Sequence, residues 1–237
     1  MVPVAPGPDA GPAGKHGAPS WRTVTAPESR RPIFAAALVI VAGQTWVGRS
    51  LGVDPFWLFP LASAVLLVAS IVVYESQDEP DRRARTLSFL FIAILVAANA
   101  VSLVLLVRGV FVGSAIGPTS LLVTGLALWL VNVGVFTLLD WELDGGGPEA
   151  RAAGYVGRYP DFVFPQHQDD QDELSPEDWK PSFYDYLYVS LTSSIAFSPT
   201  DAMPYTRRAK LVMAAENLLS FATLAVVVAR AVNIARG

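Results

Sequence analysis

Long apolar runs separated by short polar breaks dominate the chain. Runs over residues 32–48, 55–74, 86–107, 119–139 and 207–234 each approach the ~20 residues an α-helix needs to cross a ~30 Å hydrocarbon core. Pro32 suits a first helical turn, where its missing N–H costs nothing. Breaks at 49–54 and 108–118 make the first two runs, and the next two, antiparallel hairpins. Trp46, Phe56, Trp57, Phe59, Trp141 and Trp179 fall near run ends, where amphipathic rings favour the membrane interface. The pattern predicts an all-α membrane protein with about five transmembrane helices.

One stretch departs from it. Residues 183–198 are apolar and aromatic but would reach only ~24 Å as an α-helix. Phe-Ser-Pro-Thr-Asp-Ala-Met-Pro follows at 197–204, and the last apolar run begins directly afterwards. Non-helical backbone can lie at membrane depth only if it is buried in protein or lines water. The order predicts a short re-entrant pore helix and loop before the final crossing. A complete sixth crossing by 183–198 is the alternative.

The chain therefore divides into a tail over 1–31, a four-helix region over 32–139, an acidic soluble loop over 140–182, and a pore-loop and last-helix unit over 183–237. The tail is rich in Pro, Gly and Ala and too poor in apolar residues to repay ordering, so it reads as disordered. In the loop, the glycines of Trp-Glu-Leu-Asp-Gly-Gly-Gly-Pro end a helix, and Tyr-Pro-Asp-Phe-Val-Phe-Pro-Gln reads as extended. Ser175 opens a capping box within an acidic run that lacks the glycine and final glutamate of a calcium loop. Such a loop could concentrate cations electrostatically.

Composition agrees with the membrane reading: 52% hydrophobic and 16% charged residues, with a mean hydropathy of +0.42. No helix-length window sustains a basic face, so nucleic acid is not an expected partner. The chain has no cysteine and two histidines, His16 and His167, which removes disulfides and thiolate chemistry and leaves no histidine metal site. Neither metal nor cofactor is expected. Nucleophile motifs and paired intramembrane acids are missing too, so enzymatic activity is not expected.

Polar residues inside the runs are few. Asn99 and Asn132 suit hydrogen bonds between helices, worth ~0.6 kcal/mol each in membranes. Glu216, Ser220, Thr223, Val227 and Arg230 recur at helical spacing. Ionisable groups within a crossing usually face a bundle interior or water, so this stripe is the candidate cavity-lining face.

Ser194-Ile195-Ala196-Phe197-Ser198, the Asp201-x-x-Pro204 spacing and the Ala-Val-Val-Val-Ala-Arg-Ala-Val-Asn-Ile tail carry a resemblance to the pore-loop ion channel superfamily. They resemble the pore helix, filter and inner helix of potassium channels, over about a fifth of the chain. The resemblance implies a homotetramer admitting monovalent cations, potassium among them. It makes Ser193, Ser194, Ile195, Ala196, Phe197, Ser198, Thr200 and Asp201 a filter-like loop. It makes Glu216, Ser220, Thr223 and Val227 the cavity wall. Ala196 and Ser198 stand where the family has glycines free to adopt positive φ, and Pro199 is inserted. A wider vestibule lined by serine and threonine hydroxyls follows from these departures. The C-terminal dipole of the short helix favours a cation there. Over its whole length the chain is similar to bacterial membrane proteins that carry the same Trp-Glu-Leu-Asp-Gly-Gly-Gly-Pro and Phe-Ser-Pro-Thr-Asp features. That similarity implies a multi-pass protein of the bacterial cytoplasmic membrane, with lipid as a partner, and supplies no function.

With five crossings, Lys15, Arg22, Arg30, Arg31, Arg82, Arg83 and Arg85 share one side, and Arg49, Arg108 and Arg236 share the other. The positive-inside bias makes the first side cytoplasmic, so that the pore loop enters from the cytoplasm; the resemblance to potassium channels implies the opposite orientation. Arg207, Arg208 and Lys210 oppose the dipole at a helix N-terminus, so contact with lipid phosphate or the acidic loop is expected of them. Two further readings are a non-conducting membrane scaffold and a small-solute transporter. The transporter reading lacks the internal repeat typical of that class.

Overall fold

The computed structural model describes residues 22–26, 28–75, 82–111, 117–168, 178–199 and 201–236. It contains α1 (Arg31–Ser50), α2 (Leu58–Glu75), α3 (Arg82–Phe111), α4 (Pro118–Leu143), α5 (Pro148–Ala152), α6 (Phe183–Ala196) and α7 (Arg207–Arg236). Two short strands, β1 (Phe162–Val163) and β2 (Met203–Pro204), pair antiparallel. Among the described residues, four helices (α1, α3, α4 and α7) are long and apolar enough to cross a membrane, and α2 is a shorter apolar helix. The helical membrane architecture expected from the apolar runs is present: four of the five runs form helices of spanning length, and the run at 55–74 forms the shorter α2.

Helix α4 lies at the centre, packed against α1, α3, α6 and α7. Its glycines explain how closely the neighbours approach. A Cβ added at Gly125 would stand 2.5 Å from Val227 Cγ2, and one at Gly134 would stand 2.8 Å from Ile40 Cγ1. Lipid offers little hydrophobic drive for helix association, so small residues that permit such contact supply dispersion energy instead. Leu95, Val135 and Tyr186 centre one apolar cluster, and Val47, Leu106 and Leu128 centre a second. Outward residues such as Val39, Val68, Val104, Leu130 and Leu218 are exposed and apolar, as a lipid-facing surface requires.

The connection after α4 differs most from expectation. A solvated loop was predicted from residue 140 onward, yet Asp140, Glu142, Asp144, Arg151 and Asp161 are all buried. Gly145, Gly146 and Gly147 have φ of 59°, 103° and 95°, a left-handed path open to glycine. That path folds the chain back over the end of α4. Asp144 is enclosed there: Oδ1 accepts the N–H groups of Asp161 (2.5 Å) and Phe162 (3.1 Å), and Oδ2 accepts the Tyr186 hydroxyl (2.5 Å). Arg151 donates to the carbonyls of Trp141 (2.7 Å) and Asp144 (3.1 Å). The acidic run with Ser175, the tail up to residue 21, and Thr200 lie outside the described residues.

Residues 22–26 and 28–30, predicted to belong to a disordered tail, are laid against this cap. Thr25 N–H donates to Ala152 O. Glu28 accepts the Trp141 indole N–H and the Phe183 N–H, each at 2.8 Å. Arg30 pairs with Glu149. Buried partners fixed by α4 and α6 outweigh the low-complexity composition here.

Candidate functional site

Helix α6 is short, 14 residues, and both its ends are held. At its start Ser182 and Asp185 form a capping box, with Asp185 Oδ2 accepting from the Ser182 N–H and Oγ at 2.7 Å. At its end Phe197 is left-handed, φ 54°, which turns the chain back. The Phe197 ring meets Phe221 edge-on at 5.5 Å, about 21 Å along α7 from Arg207 at 1.5 Å per residue. The seven steps from Phe197 to Pro204 reach ~23 Å when extended. They return the chain to the cap, where β2 pairs with β1 and Tyr205 N–H donates to Asp161 O at 2.7 Å. Helix α6 thus starts at the cap, ends beside the middle of α7, and the chain comes back to the cap before α7 begins.

Asp161 secures that return. Arg208 donates to Asp161 from Nε (2.6 Å) and Nη2 (2.5 Å), and Thr206 donates through its hydroxyl. Burial alone would raise the Asp161 carboxyl, but Arg208, Thr206 and the Gly145 N–H outweigh it and hold it below the usual carboxylate range. Of the three basic residues at the start of α7, Arg208 meets the connection, while Arg207 and Lys210 are exposed.

Deeper along α6 and α7 runs a continuous polar seam. Asn99 Nδ2 donates to Asn132 Oδ1 at 2.7 Å, and Asn132 Nδ2 donates to Ser220 Oγ at 2.9 Å. Ser220 Oγ donates to Ser194 Oγ at 2.9 Å, and Ser194 Oγ reaches Glu216 Oε1 at 3.2 Å. Ser193 Oγ donates to Asn217 Oδ1 at 2.7 Å. The seam joins α3, α4, α6 and α7 in one line of neutral donors and acceptors. It ends on a carboxyl.

The stripe expected to line a cavity belongs to this seam. Glu216 and Ser220 are fully enclosed, and Thr223 and Val227 are buried within the single chain, so the stripe faces inward rather than an open surface. Ser193 and Ser194 are likewise buried, whereas Ile195, Ala196, Phe197, Ser198 and Asp201 are exposed. Helical periodicity explains the split: Tyr186, Ser190 and Ser193/Ser194 share the face of α6 that meets α7 and α4, while Tyr184, Tyr188, Leu191 and Ile195 share the opposite one. The hydroxyl wall expected of the loop is therefore divided. Ser193 and Ser194 bond within the chain, and Ser198 is exposed.

Sequence reasoning missed one member. Asp140, assigned to a soluble loop, lies in the last turns of α4, fully buried, with no hydrogen-bond partner for either carboxylate oxygen. It is within electrostatic reach of Glu216. The expectation that no intramembrane acids pair is thus corrected: α4 continues past the apolar run, and its antiparallel register on α7 brings the two together. The signal available was the four-residue spacing of Asp140 and Asp144, which continues the helical repeat one turn past the apolar run.

Among the described residues no group of three or more metal-ligating side chains occurs. Elsewhere on the cap, His167 sits against Trp179 and Phe164, ring centroids 5.2 and 5.8 Å away. Its Nδ1 accepts the Phe164 N–H at 3.3 Å. Burial, with the nearby Lys180 charge, pushes the imidazole down to about 4.

Fold and seam together define the chain as a helical membrane protein. No protein-family model, no curated protein and no solved structure matches it.

Proposed function

We propose that the protein is a channel-like integral membrane protein that admits monovalent cations, with α6 and residues 197–206 as a re-entrant element entering from the cap side. The observation that carries this is the path of α6, which runs beside α7 to its midpoint at Phe221, after which the chain is back at the cap by Met203–Pro204. Non-helical backbone at that depth needs protein or water around it, yet 197–199 and 201 are exposed on one protomer. Copies of the chain arranged around an axis next to this face would cover it and bring the Ser198 hydroxyls together. Four copies are what the resemblance to potassium channels implies. The cap gathers the basic residues of 22–31, 82–85, 151–158 and 207–210, so the positive-inside bias puts it in the cytoplasm, and a bacterial cytoplasmic membrane suits the likeness noted above.

A second reading, a non-conducting membrane scaffold, is favoured by the sealing of Glu216, Ser220 and Thr223 inside the protomer. The absence of native cysteine allows a direct test. Ser198→Cys protein in liposomes is expected to carry potassium or sodium flux that a membrane-impermeant thiol reagent blocks, with wild type unaffected. Reconstituted protein that passes neither ion, and an introduced thiol no more reactive there than one placed at lipid-facing Leu218, would leave the scaffold standing.

A further inference from the structure

Two buried carboxyl groups at the end of the seam, Asp140 and Glu216, have oxygens that the seam's hydrogen bonds leave unused. Helices α4 and α7 run antiparallel with Gly125 against Val227 and Asn132 against Ser220. In that register Asp140, eight residues from Asn132, lies about one turn, ~6 Å, nearer the cap than Glu216, four residues from Ser220. Both are fully buried. Both oxygens of Asp140 and Oε2 of Glu216 lack a hydrogen-bond partner, and Glu216 Oε1 meets only the neutral Ser194 hydroxyl among the hydrogen bonds of the seam.

Among the described residues, the charged groups that act on Asp140 are all acids. Asp140 feels Glu216 on α7, Asp144 on its own helix and Asp161 on the cap, while Ser190 and Ser194 of α6 face Glu216. Arginines stand one layer away and are already engaged: Arg151 with backbone carbonyls, Arg208 with Asp161. Two ionised carboxylates sealed in this environment without a counter-charge would cost several kcal/mol. Elsewhere in the described fold, enclosed carboxylates such as Asp144 and Asp161 are given two or more donors. Asp140 is given no protein donor.

We propose that Asp140 and Glu216 form an intramembrane site at which a proton and an alkali cation compete. The balance is simple: a carboxylic O–H gives up its proton to solvent, and the resulting carboxylate takes the cation, leaving the charge of the site unchanged. Oxygen donors only, two carboxyls with the Ser194 hydroxyl beside them, suit a hard cation. The inference deepens the reading of the protein as cation-permeable and rests on it for its purpose, but it concerns binding and can fail separately.

The test uses full-length protein in nanodiscs, weakly buffered, with a pH-indicator dye. Sodium or potassium chloride is expected to release close to one proton per chain, at least fivefold more than choline chloride, with the apparent cation affinity rising as pH rises. Asp140→Asn and Glu216→Gln, which keep side-chain shape, are each expected to abolish the release. Ser194→Ala is expected to weaken affinity a few-fold, and Glu149→Gln on the cap to leave it unchanged. Infrared difference spectra should show a carboxylic C=O band that disappears with added cation in wild type and is missing in Glu216→Gln. No proton release by any alkali cation between pH 6 and 9, release only with calcium, or release that persists in both carboxyl variants of unaltered size-exclusion profile would overturn the proposal. Flux without competition would remove this site while leaving the permeation reading, and competition without flux would do the reverse.

Discussion

The register of α4 on α7 places the seam, and it can be tested at a single pair. A Cβ added at Gly125 would lie 2.5 Å from Val227 Cγ2, 3.4 Å from Leu106 Cδ2 and 3.9 Å from Val227 Cβ. The first contact is about 1 Å short of ordinary van der Waals separation. A valine in a helix strongly prefers one χ1 rotamer, so swinging the methyl away costs of order 0.5–1.5 kcal/mol. The other escape, moving α7 outward, stretches the Asn132–Ser220 hydrogen bond seven residues along each helix. Gly125→Ala is therefore expected to destabilise the fold by ~1–3 kcal/mol, the range for overpacked cores. Val227→Ala alone should cost ~1–2 kcal/mol through the lost methyl contacts. In the double variant the new methyl fills the vacated space, so the two costs should fall short of additivity by at least ~1 kcal/mol. Unfolding in mixed micelles of rising denaturing-detergent fraction, read by circular dichroism across the four proteins of the cycle, measures this coupling. Additivity within ~0.5 kcal/mol would mean that Gly125 and Val227 are not in contact. The register of Glu216 beside Asp140 would then fall with it.

Two further outcomes follow from the cap. Tyr186→Phe deletes one donor from the enclosed Asp144 while keeping the ring; a hydrogen bond to a charged group is worth ~1.5–3 kcal/mol, and the same detergent titration should show a loss of that size. Tyr184→Phe, on the exposed face of α6, should change stability by less than ~0.5 kcal/mol, and equal effects of the two would contradict the assignment. The neutral imidazole of His167 is favoured in the fold, about 4 against a usual 6.5, so its contribution is complete above pH 6.5 and lost as the pH falls toward 4. That difference corresponds to at most ~3 kcal/mol, less for partial exposure. His167→Phe should flatten this leg of the stability–pH curve, and an unchanged slope between pH 7 and 4.5 would refute it.

The spanning helices were legible because their signal is long and local: twenty apolar residues in a row constrain the answer whatever surrounds them. The ends of α4 were not. Asp140 and Trp141 closed the apolar run in sequence, but the helix continues through Leu143 because the cap buries those turns. No local pattern announces that the Asp144 carboxylate will be wrapped by backbone N–H groups seventeen and eighteen residues further on. The Glu216–Val227 stripe was visible as a face, yet periodicity is defined against the helix's own axis and is silent on which neighbour the face meets. Ser193 and Ser194 were assigned to a loop wall through their likeness to a filter. Reading α6 by its 3.6-residue period from Tyr186 would have turned them inward.

Helix α6 is too short to be stable through its own backbone, since isolated helices of this length are marginal. Its position is therefore set by what holds its ends, and those ends are unequal. The base is tied by charge-assisted bonds: Glu28 to Phe183 N–H, Asp185 to Ser182 N–H, and Asp144 to the Tyr186 hydroxyl, each of a type worth ~1.5–3 kcal/mol. The tip is tied mainly through the hydroxyls of Ser193 and Ser194, contacts of a kind that average ~0.6 kcal/mol inside membranes. An opening of a few kcal/mol would be spent at the tip, with the base left in place. Such a motion would lift Ser194 away from Glu216, uncovering the carboxyl at the end of the seam while Asp144, Asp161 and Arg208 keep the cap closed. The fold thus concentrates its strong bonds where α6 starts and leaves weak ones next to the buried acids.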